Sequence, residues 1–426
     1  MGNGGQPVPR ALCRCEHARI LRPARFTAMT RRPTQWRSTG LNAASCRRAV
    51  AACEICRTYD GAMATAIKGR GATGHLPGRF ETTTQQAVDD GWYADDSEEF
   101  AAPALRTQVT EETARSIISR NQSPDIGFSQ SVNPYRGCEH GCSYCFARPS
   151  HAYLNLSPGL DFETKLFAKT NAPEVLRREL SRPSYVPSPI ALGINTDAYQ
   201  PIERKHALTR QLIEVLWETR HPFTLITKNA LVTRDLDLLA PLAREGLVNV
   251  YFSVTTLDPH VSAKLEPRAS APHARLRAMR ALHEAGVPVG VMAAPVIPWI
   301  NDHELEAILQ AAADAGADSA GYVLLRLPHE VAPLFRDWLQ THHPQRAEHV
   351  MSTIQQLRGG KDYDSAFGTR MRGQGVYADL LARRFALAHR RAGFDARQMP
   401  PLDTGKFRRP APPAKPVKES PQGQLF

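Results

Sequence analysis

From position 127 onwards, short runs of β-branched and other apolar residues alternate with longer stretches in which apolar residues recur every three or four positions. The short runs predict buried strands, and the longer stretches predict amphipathic helices. Strands that alternate with helices are typical of a parallel sheet with crossover helices. The predicted strands cover, in chain order, residues 127–135, 188–195, 222–228, 248–255, 287–296 and 319–326.

Glycines mark where the predicted helices end. Gly246, Gly286 and Gly316 each stand just before the next predicted strand, which is the usual position of a helix stop. Six strand–helix units in a row favour a partial (β/α)6 TIM-like barrel over an open doubly wound sheet. We therefore predict an α/β fold whose core barrel spans residues 127–330.

The sequence on either side of the barrel lacks this pattern. Residues 1–62 are rich in arginine and proline and predict a disordered leader. An Arg-rich leader can be a transit peptide, but we favour translated upstream sequence with Met63 as the functional start. Residues 63–126 predict an N-terminal wrap or cap, residues 331–403 a helical extension, and residues 404–426 a disordered tail rich in proline and lysine.

Charge is concentrated at the two ends of the 426-residue chain, whose net charge is +11. Residues 1–62 contribute +8 and residues 405–426 contribute +4, which leaves the rest close to neutral. The net charge of the whole protein is therefore no argument for nucleic-acid binding. The chain also lacks an apolar run of about 18 residues, so we predict a cytoplasmic protein without a membrane-spanning helix.

One internal segment keeps nucleic acid open as a partner. Residues 370–397 carry seven arginines and two aspartates. Clustered arginines near a substrate mouth can bind phosphates. The alternative is an ordinary solvated helix face whose apolar side packs inward.

Cysteine is distributed as unevenly as charge. Five of the eight cysteines fall within residues 1–62, and the other three, Cys138, Cys142 and Cys145, form one cluster. This distribution excludes a disulfide-stapled secreted domain for the main body. The cluster reads Cys-Glu-His-Gly-Cys-Ser-Tyr-Cys and follows the first predicted strand. Loops at the carboxyl ends of parallel barrel strands are where catalytic sites lie.

Three thiolates this close in a loop can converge on one soft metal centre, and the glycines at 137 and 141 let the loop fold tightly. A [4Fe-4S] cluster has four irons, but no fourth cysteine lies in the body, so one iron would keep an open position. We therefore predict a catalytic [4Fe-4S] cluster on these cysteines. Two alternatives remain open, namely a zinc site completed by His140 or His151, and free core cysteines.

The C-x-x-x-C-x-x-C loop, followed by βα units, resembles the radical S-adenosylmethionine (SAM) superfamily. Residues 193–201 (Gly-Ile-Asn-Thr-Asp-Ala-Tyr-Gln-Pro) and 226–228 (Ile-Thr-Lys) are similar to the branch that includes spore photoproduct lyase. The resemblance implies two cofactors, a [4Fe-4S] cluster and S-adenosyl-L-methionine. It implies that SAM is cleaved reductively to methionine and a 5′-deoxyadenosyl radical, which abstracts hydrogen from a substrate. It also implies an external electron donor of the flavodoxin or ferredoxin type.

The resemblance also implies roles for residues at positions that match the family. Tyr144 matches the aromatic residue that packs on the adenine of SAM. Three residues end the second strand, where the family binds the methionine amino group: Asn195, Thr196 and Asp197. Asp197 has an alternative role as a helix N-cap.

Two more residues match positions of the family, on the third and fourth predicted strands. Lys228 ends the third strand, and its charge suits the SAM carboxylate. Ser253 lies on the fourth strand, where the family contacts the ribose hydroxyls. The alternatives are a solvated strand-end charge for Lys228 and a satisfied strand hydroxyl for Ser253. Arg326, at the end of the sixth strand, is a candidate for contact with substrate or SAM.

The sequence departs from spore photoproduct lyase at one position. That enzyme uses an additional cysteine near the end of the second strand as a hydrogen donor, and residues 193–197 contain no thiol. We therefore do not predict repair of a thymine dimer by that route. Tyr199 is a candidate donor if a product radical is quenched.

The last residues of the chain predict a binding partner. After the Pro/Lys-rich tether, Gln422, Leu425 and Phe426 resemble the Q-x-x-L-F peptide with which bacterial repair and replication proteins bind the sliding clamp. The first functional hypothesis is a radical SAM enzyme of unassigned substrate, with nucleic acid as a candidate. The alternative is a non-catalytic, metal-stabilised adaptor that is recruited to DNA replication or repair through this tail.

Overall fold

The computed structural model describes residues 66–81 and 105–411. The predicted leader (1–62) and the predicted clamp-binding residues (422–426) lie outside these ranges. The described strands are β1 (Gln108–Glu112), β2 (Ile118–Arg120), β3 (Gln130–Val132), β4 (Tyr135–Arg136), β5 (Lys165–Lys169), β6 (Ile190–Leu192), β7 (Phe223–Thr227), β8 (Val248–Ser253), β9 (Val289–Val296) and β10 (Ser319–Leu324).

Helices connect and follow these strands. The α-helices are α1 (Asp161–Thr164), α2 (Ala172–Leu180), α3 (Glu203–His206), α4 (Leu208–Glu218), α5 (Leu236–Arg244), α6 (Pro259–Leu265), α7 (Pro272–Glu284), α8 (Leu305–Asp314), α9 (Val331–His342), α10 (Ala347–Gln356) and α11 (Val376–Arg391). Short 3₁₀ helices occur at Arg148–Leu154, Ala230–Asp235, Asp302–Glu304, Phe394–Ala396 and Thr404–Lys406. None of the helices in the described ranges is both long and apolar enough to cross a membrane.

The main sheet confirms the predicted partial (β/α)6 barrel. Its seven strands run in the order β10-β9-β8-β7-β6-β3-β2. Six of them are parallel, and β2 pairs antiparallel to β3 at one edge. Consecutive parallel strands are neighbours throughout, so the strand order never reverses as it does in a doubly wound sheet. All carboxyl ends of these strands therefore lie along one edge.

Alternating side chains divide the barrel into an outer core and an inner face. In β7, Phe223 and Leu225 are fully buried against the helices, whereas Thr224 and Ile226 are half-buried on the opposite face. On the helix side, Leu212 and its neighbours on α4 pack into the same core. The apolar periodicities therefore predict which face each element buries.

A second, three-stranded sheet holds the start of the predicted cysteine cluster. Its order is β1-β5-β4, with β1 parallel and β4 antiparallel to β5. The chain continues from β4 into Cys138, whose backbone N–H donates to the Phe162 carbonyl at 2.9 Å. The sequence does not predict this sheet, because β4 is two residues long and its partners are distant in the chain.

The helical extension after the barrel is present as α9, α10 and α11. Residues 404–411 also pack on the barrel, although the sequence places them in the disordered tail. The Arg408 N–H donates to the Thr219 carbonyl at 2.7 Å, and the Phe407 ring packs against Tyr185 and His221 with centroids 5.7 and 5.3 Å away. The predicted tail must therefore exclude this segment, whose apolar Phe407 anchors it.

Arginines in the segment 370–397 are partly used within the fold. Arg370 pairs with Asp125 at 2.6 Å, and Arg384 pairs with Glu306 on α8 at 2.7 Å. Arg397 donates to the Ala313 carbonyl, in the last turn of α8, and to the Ala317 carbonyl, just after that helix. These contacts favour the structural interpretation of the cluster for these three side chains.

Residues 66–81, which we call the N-terminal strap, lie across the segment that follows β4. The Gly71 and Ala72 N–H groups donate to the buried Glu163 carboxylate at 3.0 and 2.8 Å, and Arg148 forms a buried ion pair with the same carboxylate. A Cβ at Gly71 would lie 1.7 Å from the Gly141 carbonyl oxygen. Only glycine therefore permits this contact between strap and loop.

Gly71→Ala is expected to displace the strap, because a methyl group cannot occupy the space of the Gly141 carbonyl. Gly74→Ala is the matched control, since a Cβ there meets nothing within 4 Å. We expect Gly71→Ala to lower the free energy of unfolding by about 1–3 kcal/mol and to expose the strap to limited proteolysis. Equal urea midpoints and equal cleavage for the two variants would show that the contact does not hold the strap.

Candidate active site

The cysteine loop (residues 138–145) follows the first barrel strand and lies at the carboxyl edge of the sheet. Two turns shape the loop, closed by hydrogen bonds from Gly141 N to Cys138 O (3.3 Å) and from Cys145 N to Cys142 O (3.2 Å). The connection from α6 to α7 joins it through two backbone hydrogen bonds, Ser143 N to Leu265 O at 3.0 Å and Arg268 N to His140 O at 3.2 Å. The loop is therefore hydrogen-bonded to the barrel through this connection.

The three thiols lie close together and are shielded from water. Cys138 and Cys142 are each 7% exposed, and Cys145 is half-buried. Burial raises the pKa of Cys138 well above its usual range, and Asp197 and the other two thiols raise it further. Burial raises the pKa of Cys142 to about 12, against the opposing charge of Lys228. Without a metal the Cys138 and Cys142 thiols are therefore protonated, and metal binding would displace these protons.

The donor set does not form a ready-made site for a single zinc ion. Within the described residues, no three His, Cys, Asp or Glu side chains converge on a point that one metal ion could occupy. Zinc requires its sulfur ligands about 2.3 Å from one ion. The three cysteines of a cube each bind a different iron and therefore stand further apart.

Neither histidine proposed for the zinc alternative turns towards the thiols as a fourth ligand. His140 Nδ1 lies 3.4 Å from Asp197 Oδ2, and His140 Nε2 lies 3.3 Å from the Asn229 amide. His151 Nε2 is 2.9 Å from the Lys165 carbonyl oxygen. Each ring is therefore held by at least one contact, although Nδ1 of both histidines makes no hydrogen bond among the described residues.

Tyr144 is held rigidly beside the cysteines. It is 7% exposed, and its hydroxyl donates to the Glu266 carboxylate and lies 3.1 Å from the Thr255 hydroxyl. Glu266 also forms a buried ion pair with Arg275, which donates to the Ser253 carbonyl at 2.8 Å. Burial and the Glu266 charge raise the pKa of Tyr144 well above its usual range, so the phenol stays neutral.

Lys228 supplies a positive charge without a direct acidic partner. Its Nζ lies 6.0 Å from the centroid of the Tyr144 ring. Within the described residues, no carboxylate is within ion-pair distance of this ammonium group. Burial lowers the pKa of Lys228, but the nearby Cys142 and Glu266 outweigh burial and raise it. The charge is therefore retained and available to an anionic ligand.

The three residues at the end of the second predicted strand take different positions. Asn195 is exposed, and its backbone N–H donates to Asn133 Oδ1 at 2.8 Å. Thr196 is buried, and its hydroxyl donates to the Tyr135 carbonyl at 3.2 Å. Of the three side chains, Asn195 alone is both exposed and without a hydrogen bond among the described residues.

Both oxygens of the Asp197 carboxylate have partners within the protein. Oδ1 accepts from the Tyr199 N–H (2.9 Å) and the Thr227 hydroxyl (2.8 Å), while Oδ2 accepts from the Lys228 N–H (2.7 Å) and lies 3.4 Å from His140. Burial would raise the pKa of Asp197, but His140 and these hydrogen bonds outweigh it and lower the pKa to about 2. Four partners use the lone pairs of the two oxygens, so the contacts favour a structural role over binding of a methionine amino group.

Ser253 and Arg326 both retain unsatisfied polar atoms. Ser253 is 4% exposed, and its hydroxyl makes no hydrogen bond within residues 66–81 and 105–411. The Arg326 guanidinium carbon lies 5.3 Å from the Phe146 ring centroid and 6.0 Å from that of Tyr363, and its Nε is buried without a partner. Among the described residues Arg326 contacts no carboxylate, as expected of a residue that binds an external anion.

Tyr199 is not placed to donate hydrogen to a substrate. Its side chain is fully buried, and the hydroxyl donates to Asp235 Oδ2 at 2.8 Å. The Arg234 guanidinium carbon covers the ring at 5.8 Å from the centroid. The expectation of a hydrogen-donor role for Tyr199 is therefore wrong, because the side chain points into the core.

Sequence reasoning missed the charged residues that support the loop from a distance. Glu266 and Arg275 orient Tyr144, and Arg148 and Glu163 anchor the strap. Each of these acts through a buried ion pair. A single sequence carries no signal for such pairs, because their partners meet only in the folded chain.

Comparison with known proteins identifies the family of the barrel region. Residues 132–312 match the model of the radical SAM superfamily, so this part of the chain is a radical SAM domain. Similar solved structures include spore photoproduct lyase complexed with dinucleoside spore photoproduct, at 17% identity and a TM-score of 0.49, covering 67% of this chain and 79% of that one.

Curated relatives match about half of the chain. An uncharacterized protein of Mycobacterium tuberculosis (strain ATCC 25618 / H37Rv) is 40% identical over 222 residues, which are 52% of this chain and 65% of that protein. An uncharacterized protein of Methanocaldococcus jannaschii is 25% identical over 199 residues, which are 47% of this chain and 71% of that protein. The chain thus spans somewhat less than two thirds of the length of the mycobacterial relative.

Arg275→Met is expected to destabilise the fold strongly, because it leaves the buried Glu266 carboxylate without its counter-ion. Loss of one partner of a buried pair costs about 3–5 kcal/mol. The double variant Arg275→Met/Glu266→Gln removes both charges and should recover more than half of that loss. Urea unfolding measures both values. A single variant as stable as the wild type would show that the pair does not support Tyr144.

Proposed function

We propose that this chain is a radical SAM enzyme acting on a substrate that carries an anionic group. The observation that supports the proposal best is the combination of three shielded thiols in one loop with an unpaired ammonium group beside them. Cys138, Cys142 and Cys145 would hold three irons of a [4Fe-4S] cluster. When bound, the cluster and SAM supply one-electron reduction of a sulfonium and hydrogen-atom abstraction from a substrate.

The absence of a fourth cysteine from the described residues supports a catalytic rather than a closed cluster. Cys138, Cys142 and Cys145 are the cysteines of residues 66–81 and 105–411, and His140 and His151 each contact another group through one ring nitrogen. These residues thus offer three soft ligands and would leave one iron free for an exogenous ligand.

The residues around the loop suit the parts of SAM by their chemistry. Lys228 attracts a carboxylate, and the rigid Tyr144 ring offers an apolar surface beside the cysteines. The unsatisfied Ser253 hydroxyl and the exposed Asn195 amide supply hydrogen-bonding groups at the carboxyl ends of β8 and β6, on either side of β7. A bound ligand would gain from these groups without breaking existing hydrogen bonds.

Arg326 supports the assignment of an anionic substrate. It stands at the end of the last barrel strand and contacts Phe146, the residue directly after Cys145. A guanidinium between two aromatic rings recognises phosphate or carboxylate groups together with planar rings. Nucleic acid is therefore the first substrate class to test, and an anionic small molecule is the second.

The site also excludes water from the reacting groups. Cys142 and Tyr144 belong to a cluster of buried apolar side chains that includes Phe335 and Trp338 of α9, and the N-terminal strap covers the other side of the loop. A dry site protects a reactive radical from side reactions.

Anaerobic reconstitution with iron and sulfide tests the proposed function. We expect about four irons per chain, as for a cubane cluster, and 5′-deoxyadenosine and methionine when reductant and SAM are added. Cys142→Ala should lose the iron, which tests ligation. The assay is repeated with DNA, RNA and cell extract to detect stimulation by substrate. Zinc in place of iron, or an iron cluster that never cleaves SAM, would contradict the proposal.

Lys228→Met is expected to weaken SAM binding, because it removes the charge opposite the SAM carboxylate. The apparent KM for SAM should rise at least tenfold, which corresponds to about 1.4 kcal/mol. Lys228→Arg is the control. It keeps the positive charge, so its apparent KM for SAM should rise less. Iron content and visible absorbance establish that both variants retain the cluster. An unchanged KM in Lys228→Met would assign the ammonium to another role.

A further inference from the structure

The partial barrel has an open side, because the two edges of its main sheet do not pair with each other. The strand order begins with β10 and ends with β2, and no described strand bridges the two. Residues 360–375, which we call the closing segment, lie along this opening. On the β10 side, the Leu324 N–H donates to the Met371 carbonyl of the closing segment at 2.9 Å. The free edge of β10 is therefore covered by the closing segment.

The closing segment reaches the opposite edge of the sheet through an ion pair. Asp125 lies in the hairpin loop that joins β2 to β3. One of its carboxylate oxygens accepts from the Gly368 N–H at 2.8 Å, and the other pairs with Arg370 Nε at 2.6 Å. Arg370 also donates to the Ser123 hydroxyl in the same hairpin loop. The Arg370 and Asp125 side chains are 15% and 10% exposed, so this pair, which we call the latch, is largely shielded from water.

Polar contacts rather than a buried core hold the closing segment in place. None of its residues belongs to the clusters of buried apolar side chains found among the described residues. Gly360 and Gly375, at its two ends, have φ angles of +85° and +88°, and a Cβ at either position would meet nothing within 4 Å. A segment with few buried apolar contacts opens at a low cost in free energy, and its terminal glycines absorb the change in backbone angles. The closing segment can therefore move while the barrel stays folded.

Arg326 connects the closing segment to the cysteine loop. Its two terminal nitrogens contact the Met371 sulfur at 3.5 Å and the Tyr363 hydroxyl at 3.3 Å, and both partners belong to the closing segment. On the other side, the guanidinium carbon lies 5.3 Å from the centroid of the Phe146 ring. The thioether and the phenol are neutral, so an anion that replaces them gains stronger, charge-assisted hydrogen bonds. The closing segment thus occupies the groups of Arg326 to which we assign the anionic part of the substrate.

We propose that the closing segment is a gate at the side of the barrel, and that its latch, Asp125 with Arg370, selects the size of the substrate that reaches Arg326. This inference rests on the proposed function, which assigns an anionic substrate to Arg326. A small anion reaches Arg326 past Phe146, which is 45% exposed, while the latch is closed. A chain-like anion extends beyond this entrance and requires the side of the barrel to open. The free energy of the latch therefore lowers the apparent affinity for the chain-like anion alone.

Hydrogen exchange on the reconstituted full-length chain tests the latch. The variant Asp125→Asn/Arg370→Gln removes both charges of the latch and leaves the net charge unchanged. Asp362→Asn is the matched control, because it breaks an ion pair of the same segment, with Arg336 at 2.7 Å, that does not reach the β2–β3 hairpin. Peptides that contain Leu324 report on opening, since its N–H donates to the closing segment. We expect at least tenfold faster exchange at Leu324 in the double variant and the wild-type rate in the control.

Two anionic probes then test selection by size, namely single-stranded decathymidylate and thymidine 5′-monophosphate. Calorimetry measures the affinity of each probe for the same proteins. We expect the double variant to bind decathymidylate at least threefold more tightly than the wild type, although it lacks one arginine, and to bind the monophosphate with wild-type affinity. Arg326→Met in the double variant should abolish the gain, because the open gate then leads to no anion-binding group.

Three results would overturn the gate. They are unchanged exchange at Leu324 in the double variant, an equal gain in affinity for both probes, and no gain for decathymidylate. Failure of the wild type to take up iron or to cleave SAM would instead refute the proposed function, and it would leave the exchange and binding results as a test of the latch.

Discussion

Three shielded thiols in one loop set the constraint on which this structure depends. Each must lose a proton to bind metal, and each then carries negative charge where water is scarce. The barrel supplies the opposing charge, because Lys228 and Arg275 both act to lower the pKa of Cys142 against burial. Glu266 holds Arg275 in place and fixes Tyr144 through its hydroxyl. The chemistry of the loop is therefore determined by residues of later strands and helices.

Mechanical support comes from the opposite side of the loop. The small β1-β5-β4 sheet positions Cys138, and the buried Glu163 carboxylate joins Arg148 to the backbone of the strap. Because Gly71 touches the Gly141 carbonyl, the strap and the loop form one packed unit. The same strap carries Phe80 to the surface, where its ring centroid lies 5.1 Å from that of Tyr153.

The sequence predicts the barrel well because its strands obey a local rule, with short apolar runs between amphipathic helices. All six predicted strands are found, each shorter than predicted at one or both ends, as at Lys228. The placement of the cysteines at the carboxyl edge also follows from this pattern. Glu266, Arg275 and the small sheet could not be predicted, because their contacts join distant parts of the chain. Tyr199 misled for the same reason, since only the fold reveals that its hydroxyl faces Asp235.

The central claim is that three cysteines leave one corner of an iron–sulfur cube open to SAM. The most direct measurement is the electron paramagnetic resonance spectrum of the reduced, reconstituted protein, recorded with and without SAM labelled with ¹⁵N and ¹⁷O in its methionine moiety. The account predicts a changed cluster signal with hyperfine coupling to both labels. An unchanged signal at saturating SAM would contradict it.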